Sequence, residues 1–155
     1  MEIVVNYDYG FDDVSCLPIE ELAEFVISWE KKPANTEVSV SFVDDCAIAQ
    51  LNEEYRGKEG PTDVLSFECD GFDDDFNMGI EQEGDQVPFE LGDVVIAVDV
   101  AKRQTEEFAT TFQEEIELLL VHGLLHLCGY DHIEEEEARV MEGLEQQILE
   151  AWRSR

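Results

Sequence analysis

The sequence predicts an α+β domain, sandwich-like, in which a small mixed β-sheet carries helices packed on it. Three observations lead there. Strand-like and helix-like patterns run β-α-β-α-β, then a further strand, then three helices. The second of those last helices is apolar almost all round, which is the mark of a buried helix. The chain has 155 residues, 44% of them apolar, enough for one real core, so residues 1–155 are expected to form a single domain.

Each element has a local reason. Glu2 to Tyr7 is short and rich in apolar residues and reads as the first strand. Asp8 to Leu17, with Gly10 and paired aspartates, reads as loop. From Pro18, a residue suited to a first helical turn, Ile19, Leu22, Ala23, Val26 and Trp29 recur at helical spacing. Lys31-Lys32-Pro33 closes that helix with cations at its negative end. Glu37 to Val43 alternates polar and apolar, as a half-buried strand does. Asp44 or Asp45 caps the next helix, whose apolar face is Ile48, Leu51 and Tyr55 and which Gly57 ends. After the Gly60-Pro61 turn, Asp63 to Glu68 is a third strand suited to a sheet edge beside a site.

Residues 70–89 hold Asp73-Asp74-Asp75, Glu81, Glu83 and Asp85 without one Lys or Arg, and read as a mobile, solvated acidic loop. Leu91 to Val98 is the fourth and most apolar strand, and Asp99 is a candidate cap for a helix to about Phe108 with Lys102 and Arg103 outward. Thr111 and Glu114 have capping-box spacing. They open the buried helix, which runs through Ile116, Leu118, Leu119, Leu120, Val121, Leu124 and Leu125. Asp131 to Glu134 repeats the capping pattern. The last helix, about Glu134 to Trp152, aligns Ala138, Met141, Leu144, Ile148 and Trp152 on one face.

No run of eighteen apolar residues occurs, so no membrane span is expected. The N-terminus lacks the basic start and apolar core of an export signal, and Cys16, Cys46, Cys69 and Cys128 form no C-x-x-C pair. They read as reduced thiols of a cytoplasmic protein. Nine basic residues against thirty-nine acidic ones leave a net charge of −30. Such a chain repels phosphate at long range and lacks the basic footprint usual for nucleic-acid enzymes. The bland account of the charge is solubility, or an acidic proteome in a salty or acid-rich lineage.

The chemistry gathers in Val121 to His132, where all three histidines fall within eleven residues. His122 and His126 are four apart and so share one helical face. Gly129 readily takes the left-handed conformation that ends a helix and lets the chain bring His132 back toward the pair. Three neutral imidazoles converging in this way form an open three-ligand site, typically zinc, with water in the fourth position. Cys128 points about 200° round the helix from His126 and is better explained by packing. The spacing also matches that of metzincin proteases. Those carry Glu after the first His as general base, and here Gly123 stands in that place.

The run H-G-x-L-H-L-x-G-Y-D-H, with Asn52 to Lys58, Thr62 to Phe67 and Leu91 to Ile96 in order before it, resembles the YbeY family of single-strand-specific endoribonucleases, over about residues 50–132. The resemblance implies a four-stranded sheet with a cleft between it and the metal helix. It implies one zinc on His122, His126 and His132, and an active-site arginine at Arg56, otherwise read as a solvated or helix-capping cation. Asp131 is a candidate to orient a ligand or cap the last helix. The implied activity is cleavage of single-stranded ribosomal RNA, in maturation of the small-subunit rRNA 3′ end and in ribosome quality control. Two other readings stand beside it: a zinc metallopeptidase-like hydrolase, and a non-catalytic ribosome-associated zinc protein. With few cations to spend, the chain is expected to bind isolated RNA through about two or three phosphate contacts. A small ribosomal subunit, or a basic ribosomal protein docked on the acidic face, is then expected to deliver the substrate.

Overall fold

The computed structural model describes residues 1–68, 89–130 and 134–155. Four strands, β1 (Glu2–Tyr7), β2 (Thr36–Val43), β3 (Val64–Glu68) and β4 (Phe89–Ala97), form one sheet in the order β1-β2-β4-β3. β1, β2 and β4 run parallel, and β3 pairs antiparallel with β4 at the edge. Among the described residues there are six helices: α1 (Phe11–Val14), α2 (Ile19–Trp29), α3 (Asp45–Arg56), α4 (Val98–Phe108), α5 (Phe112–Leu127) and α6 (Glu135–Arg153). The expected α+β class and four-stranded mixed sheet are both found.

Side-chain alternation divides the molecule into layers. On β2, Val38, Val40 and Phe42 are buried on one face while Ser39 and Ser41 on the other stay half-exposed. The buried face joins Val94 and Ile96 of β4 to apolar residues of α2, α5 and α6 in the main core. Val95 and Ala97 point the other way, against Ile48 of α3 and Leu65 of β3, in a smaller core. β4 is thus covered on both faces, which is why it is the strand whose sequence runs apolar without alternation. α5 is the hub: it packs against α2, α4, α6, β3 and β4. Leu120, Val121, Leu124 and Leu125 are wholly buried, each worth about 1.5–3 kcal/mol for a large side chain.

Helix ends follow their capping residues. Thr111 and Glu114 make both hydrogen bonds of the capping box. Asp44, not Asp45, caps α3 by accepting from the Ala47 amide at 2.9 Å. Asp45 instead pairs with Arg103. Several expectations are corrected. The 8–17 segment contains a one-turn helix, α1, too short for any periodicity but anchored by wholly buried Val14. Asp99 does not cap α4: β4 passes into that helix with Ala97 at the cap, and Asp99 in the first turn accepts from the Tyr9 hydroxyl. Tyr55 is not buried with Ile48 but 63% exposed. Asp131 to Ile133 and residues 70–88 of the acidic segment lie outside the described residues, while Phe89 begins β4. Cys16, Cys46 and Cys128 are unpaired thiols. Among the described residues no helix is long and apolar enough to cross a membrane.

Helix and sheet approach closely at Gly123. A Cβ there would lie 2.7 Å from Val94 Cγ1 and 3.3 Å from Ser66 Oγ. Gly143, in the middle of α6, has open space around it. The two helical glycines should therefore respond oppositely to alanine. Gly123→Ala should destabilise by about 1–2 kcal/mol, overpacking against a β-branched neighbour outweighing helix propensity. Gly143→Ala should stabilise by about 0.5–1 kcal/mol from backbone entropy alone. Urea midpoints of the two variants check both signs.

Candidate metal centre

α5 is apolar over most of its surface from Leu118 onward, and there His122 and His126, both half-buried, line a cleft with β3. Their rings meet nearly at right angles, with centroids 4.6 Å apart. The two Nε2 atoms face each other at 3.1 Å. Each Nδ1 is held from behind. His122 Nδ1 donates to Glu145 Oε2, on the buried face of α6. His126 Nδ1 donates to the Tyr130 carbonyl at 3.0 Å. That carbonyl is in reach because Gly129, at φ 104°, turns the chain back: its amide bonds His126 O and the Tyr130 amide bonds Leu125 O.

This arrangement fits a metal. An imidazole whose Nδ1 proton is donated keeps its Nε2 lone pair for a ligand bond, and a carboxylate or carbonyl behind a ligating histidine is the common way to fix that tautomer. Two such lone pairs aimed at each other call for a cation between them. Their 3.1 Å separation is near the ~3.3 Å expected of two nitrogens at ~2.05 Å in tetrahedral zinc coordination. Among the described residues no third metal-binding side chain joins the pair. The expected third ligand His132 and its neighbour Asp131 lie outside those residues. Cys128 packs against the core, and burial pushes its thiol up to about 11, so it remains protonated near neutrality.

The imidazoles open into a cleft of about 830 Å³, walled by β3 and by the end of α3. Arg56, the last residue of α3, and Lys58 line it together with the histidines. Gly57, at φ 68°, ends the helix, and the loop beyond is tied down where Asn52 Nδ2 donates to the Gly60 carbonyl. Four other cations are neutralised elsewhere, Lys102 by Asp13, Arg103 by Asp45, Arg139 by Glu135 and Arg153 by Glu117. Arg56 and Lys58 make no ion pair among the described residues. The structure thus brings Arg56, His122 and His126 into one cleft.

Residues 13–153 match the family model described as endoribonuclease YbeY. The chain belongs to the YbeY family. Among its relatives, the endoribonuclease YbeY of Geobacillus thermodenitrificans is 41% identical over 152 residues, covering 96% of each protein. That of Frankia alni is 39% identical over 153 residues, covering 98% of this chain and 83% of the relative. That of Nocardioides sp. is 46% identical over 134 residues, covering 86% and 87%. The solution structure of TM1509 from Thermotoga maritima superposes with a TM-score of 0.59 at 25% identity, over 99% of this chain and 93% of that one. YbeY membership therefore extends well beyond the motif-bearing segment at residues 50–132.

Sequence reasoning missed Glu145. The signal was present: Glu145 falls four residues after Met141 and three before Ile148, inside the apolar stripe of α6. A carboxylate there is costly unless it holds a partner. Replacing it tests that role. Glu145→Gln should weaken zinc binding about 10-fold and Glu145→Ala up to about 100-fold, the range usual for partners behind a ligating histidine. Competition against a chromophoric chelator measures this, and unchanged affinity in both variants would reduce Glu145 to a packing role.

Proposed function

We propose that this YbeY chain, acting as a single domain over residues 1–155, is a zinc-dependent endoribonuclease that cleaves single-stranded ribosomal RNA in the cytoplasm, in small-subunit rRNA 3′ end maturation and ribosome quality control. The observation that carries the reading is one cleft holding two oriented imidazoles and an arginine that makes no ion pair among the described residues, in a chain matched over residues 13–153 to endoribonucleases YbeY.

His122, His126 and His132 are assigned as ligands of one zinc, with Glu145 and the Tyr130 carbonyl orienting the first two. Three neutral imidazoles would leave a bound zinc its full charge, and the chemistry it would supply is a water acidified toward ~7 and a Lewis acid for a phosphoryl oxygen. Arg56 supplies what a phosphodiester transition state needs in addition: a planar guanidinium that contacts two phosphoryl oxygens at once. Lys58 adds a second positive charge to the cleft lining. Asp131, beside His132, is assigned to orient that ligand or cap α6.

Two observations weigh against the other readings. A peptidase of this ligand spacing needs a carboxylate at position 123, and there even a Cβ would crowd Val94 Cγ1 at 2.7 Å. A purely structural zinc favours four protein ligands, and Cys128, a thiol two residues past His126, packs against the core instead.

The acidic surface fits delivery of RNA by a small ribosomal subunit or a basic ribosomal protein. Carboxylates crowd one another at one end of the sheet: Glu37 titrates above its usual range, chiefly through a hydrogen bond with Glu2, with repulsion from Glu2 and Glu90. A basic partner relieves such crowding, and naked RNA worsens it.

The reading is tested on the zinc-loaded protein with RNA and peptide substrates side by side. Wild type should cut single-stranded RNA and leave peptides intact. Arg56→Ala should keep its zinc and lose about 100-fold or more in RNA cleavage, and Arg56→Lys should recover part of that loss, because an ammonium is a point charge. Chelator-sensitive peptide cleavage, or an Arg56→Ala variant as active as wild type, would overturn the assignment.

A further inference from the structure

The stripe of α3 that begins in the core at Ile48 and Leu51 ends in the cleft, one turn later, at Tyr55. With 63% of its surface exposed, Tyr55 is the most open of the large apolar side chains among the described residues. Its ring is nonetheless held. Phe67 of β3 meets it edge to face, with centroids 5.2 Å apart and planes at 68°. Phe67 is itself positioned by the register that pairs it with Asp93 of β4. The supported aromatic face therefore lies in the same cleft as His122 and His126 and next in the chain to Arg56.

We propose that Tyr55, backed by Phe67, is a stacking subsite for a nucleobase adjacent to the cleaved phosphate, and that this subsite makes the cleft select unpaired RNA. The inference rests on the endoribonuclease reading above and adds to it the origin of strand selectivity. A guanidinium and an aromatic ring from consecutive residues suit the two ends of one nucleotide: Arg56 takes the phosphate and Tyr55 the base. In a duplex both faces of a base are covered by its stacked neighbours, whereas an unpaired base can splay out onto an aromatic ring. Every base has a π-face, so the subsite tolerates any sequence while rejecting paired strands. It also gives a chain of charge −30 a means of holding RNA that does not depend on cations.

The test uses zinc-loaded full-length protein and single-stranded RNA carrying 2-aminopurine at successive positions across the cleavage site. Wild type and Tyr55→Phe should quench the fluorophore at one or two adjacent positions, and Tyr55→Ala should not. Tyr55→Ala should also weaken binding roughly 5- to 150-fold, the equivalent of ~1–3 kcal/mol per stacked base, while Tyr55→Phe stays within about twofold of wild type. An abasic nucleotide at the quenching position should cost wild type as much as the mutation does, and cost Tyr55→Ala nothing further. The loss that the abasic nucleotide causes in wild type needs no variant to fold. Quenching that persists in Tyr55→Ala, or no quenching with wild type, overturns the subsite. Quenching at Tyr55 without any RNA cleavage supports the subsite and overturns the proposed reaction instead, so the two failures are distinct.

Discussion

The structure depends on one close crossing, where α5 lies against the sheet at Gly123. Without a Cβ at that position the helix approaches Val94 of β4 and Ser66 of β3, whose hydroxyl donates to the Gly123 carbonyl at 2.9 Å. The contact fixes the helix beneath the edge strand. His122, on one side of Gly123, and His126, three residues beyond it, then open under β3 rather than into solvent at large. A short side chain at 123 would lift the helix and change the depth of the cleft. The residue that separates this chain from the proteases of similar spacing is therefore also the one that lets the helix seat, and the two facts share a cause.

Orientation of the imidazoles comes from two elements with no metal chemistry of their own. α6 supplies the Glu145 carboxylate, and the turn at Gly129 supplies the Tyr130 carbonyl. Both are fixed by apolar packing: Met141, Ile148 and Trp152 seat α6 on the core, and Tyr130 packs at its margin. Core stability and site geometry are thereby coupled, since loosening α6 frees His122. Charge is partitioned in the same economical way. Four cations are tied to carboxylates away from the histidines, while Arg56 and Lys58 remain in the cleft. A chain so acidic can still place two cations, beside Asp63 and Glu68, in the cleft where a phosphate would arrive.

Features written in local pattern were legible beforehand. The alternation of β2, the capping box at Thr111 and the all-round apolar character of α5 each express one element's own physics, and each appears as expected. The four-residue spacing placed His122 and His126 on one face for the same reason. Features that depend on which elements meet were not legible. Strand order β1-β2-β4-β3 arises from tertiary packing, and the reach of Glu145 across 23 residues to His122 exists only once α6 docks on α5. Tyr55 shows the limit of periodicity most clearly. It lies on the apolar stripe of α3, but that stripe outlasts the core, and its last member faces the cleft. α1, at four residues, is shorter than any helical period can register.

The central claim is that one metal, held between the imidazoles of α5, drives RNA cleavage in this cleft. Titration of metal-free protein with zinc, followed by cleavage of single-stranded RNA, tests it most directly. Activity should rise in proportion to added zinc and level off at about one zinc per chain, the stoichiometry of a single three-histidine centre. Undiminished cleavage by the metal-free protein, or a saturated metal site without RNA cleavage, would contradict the account.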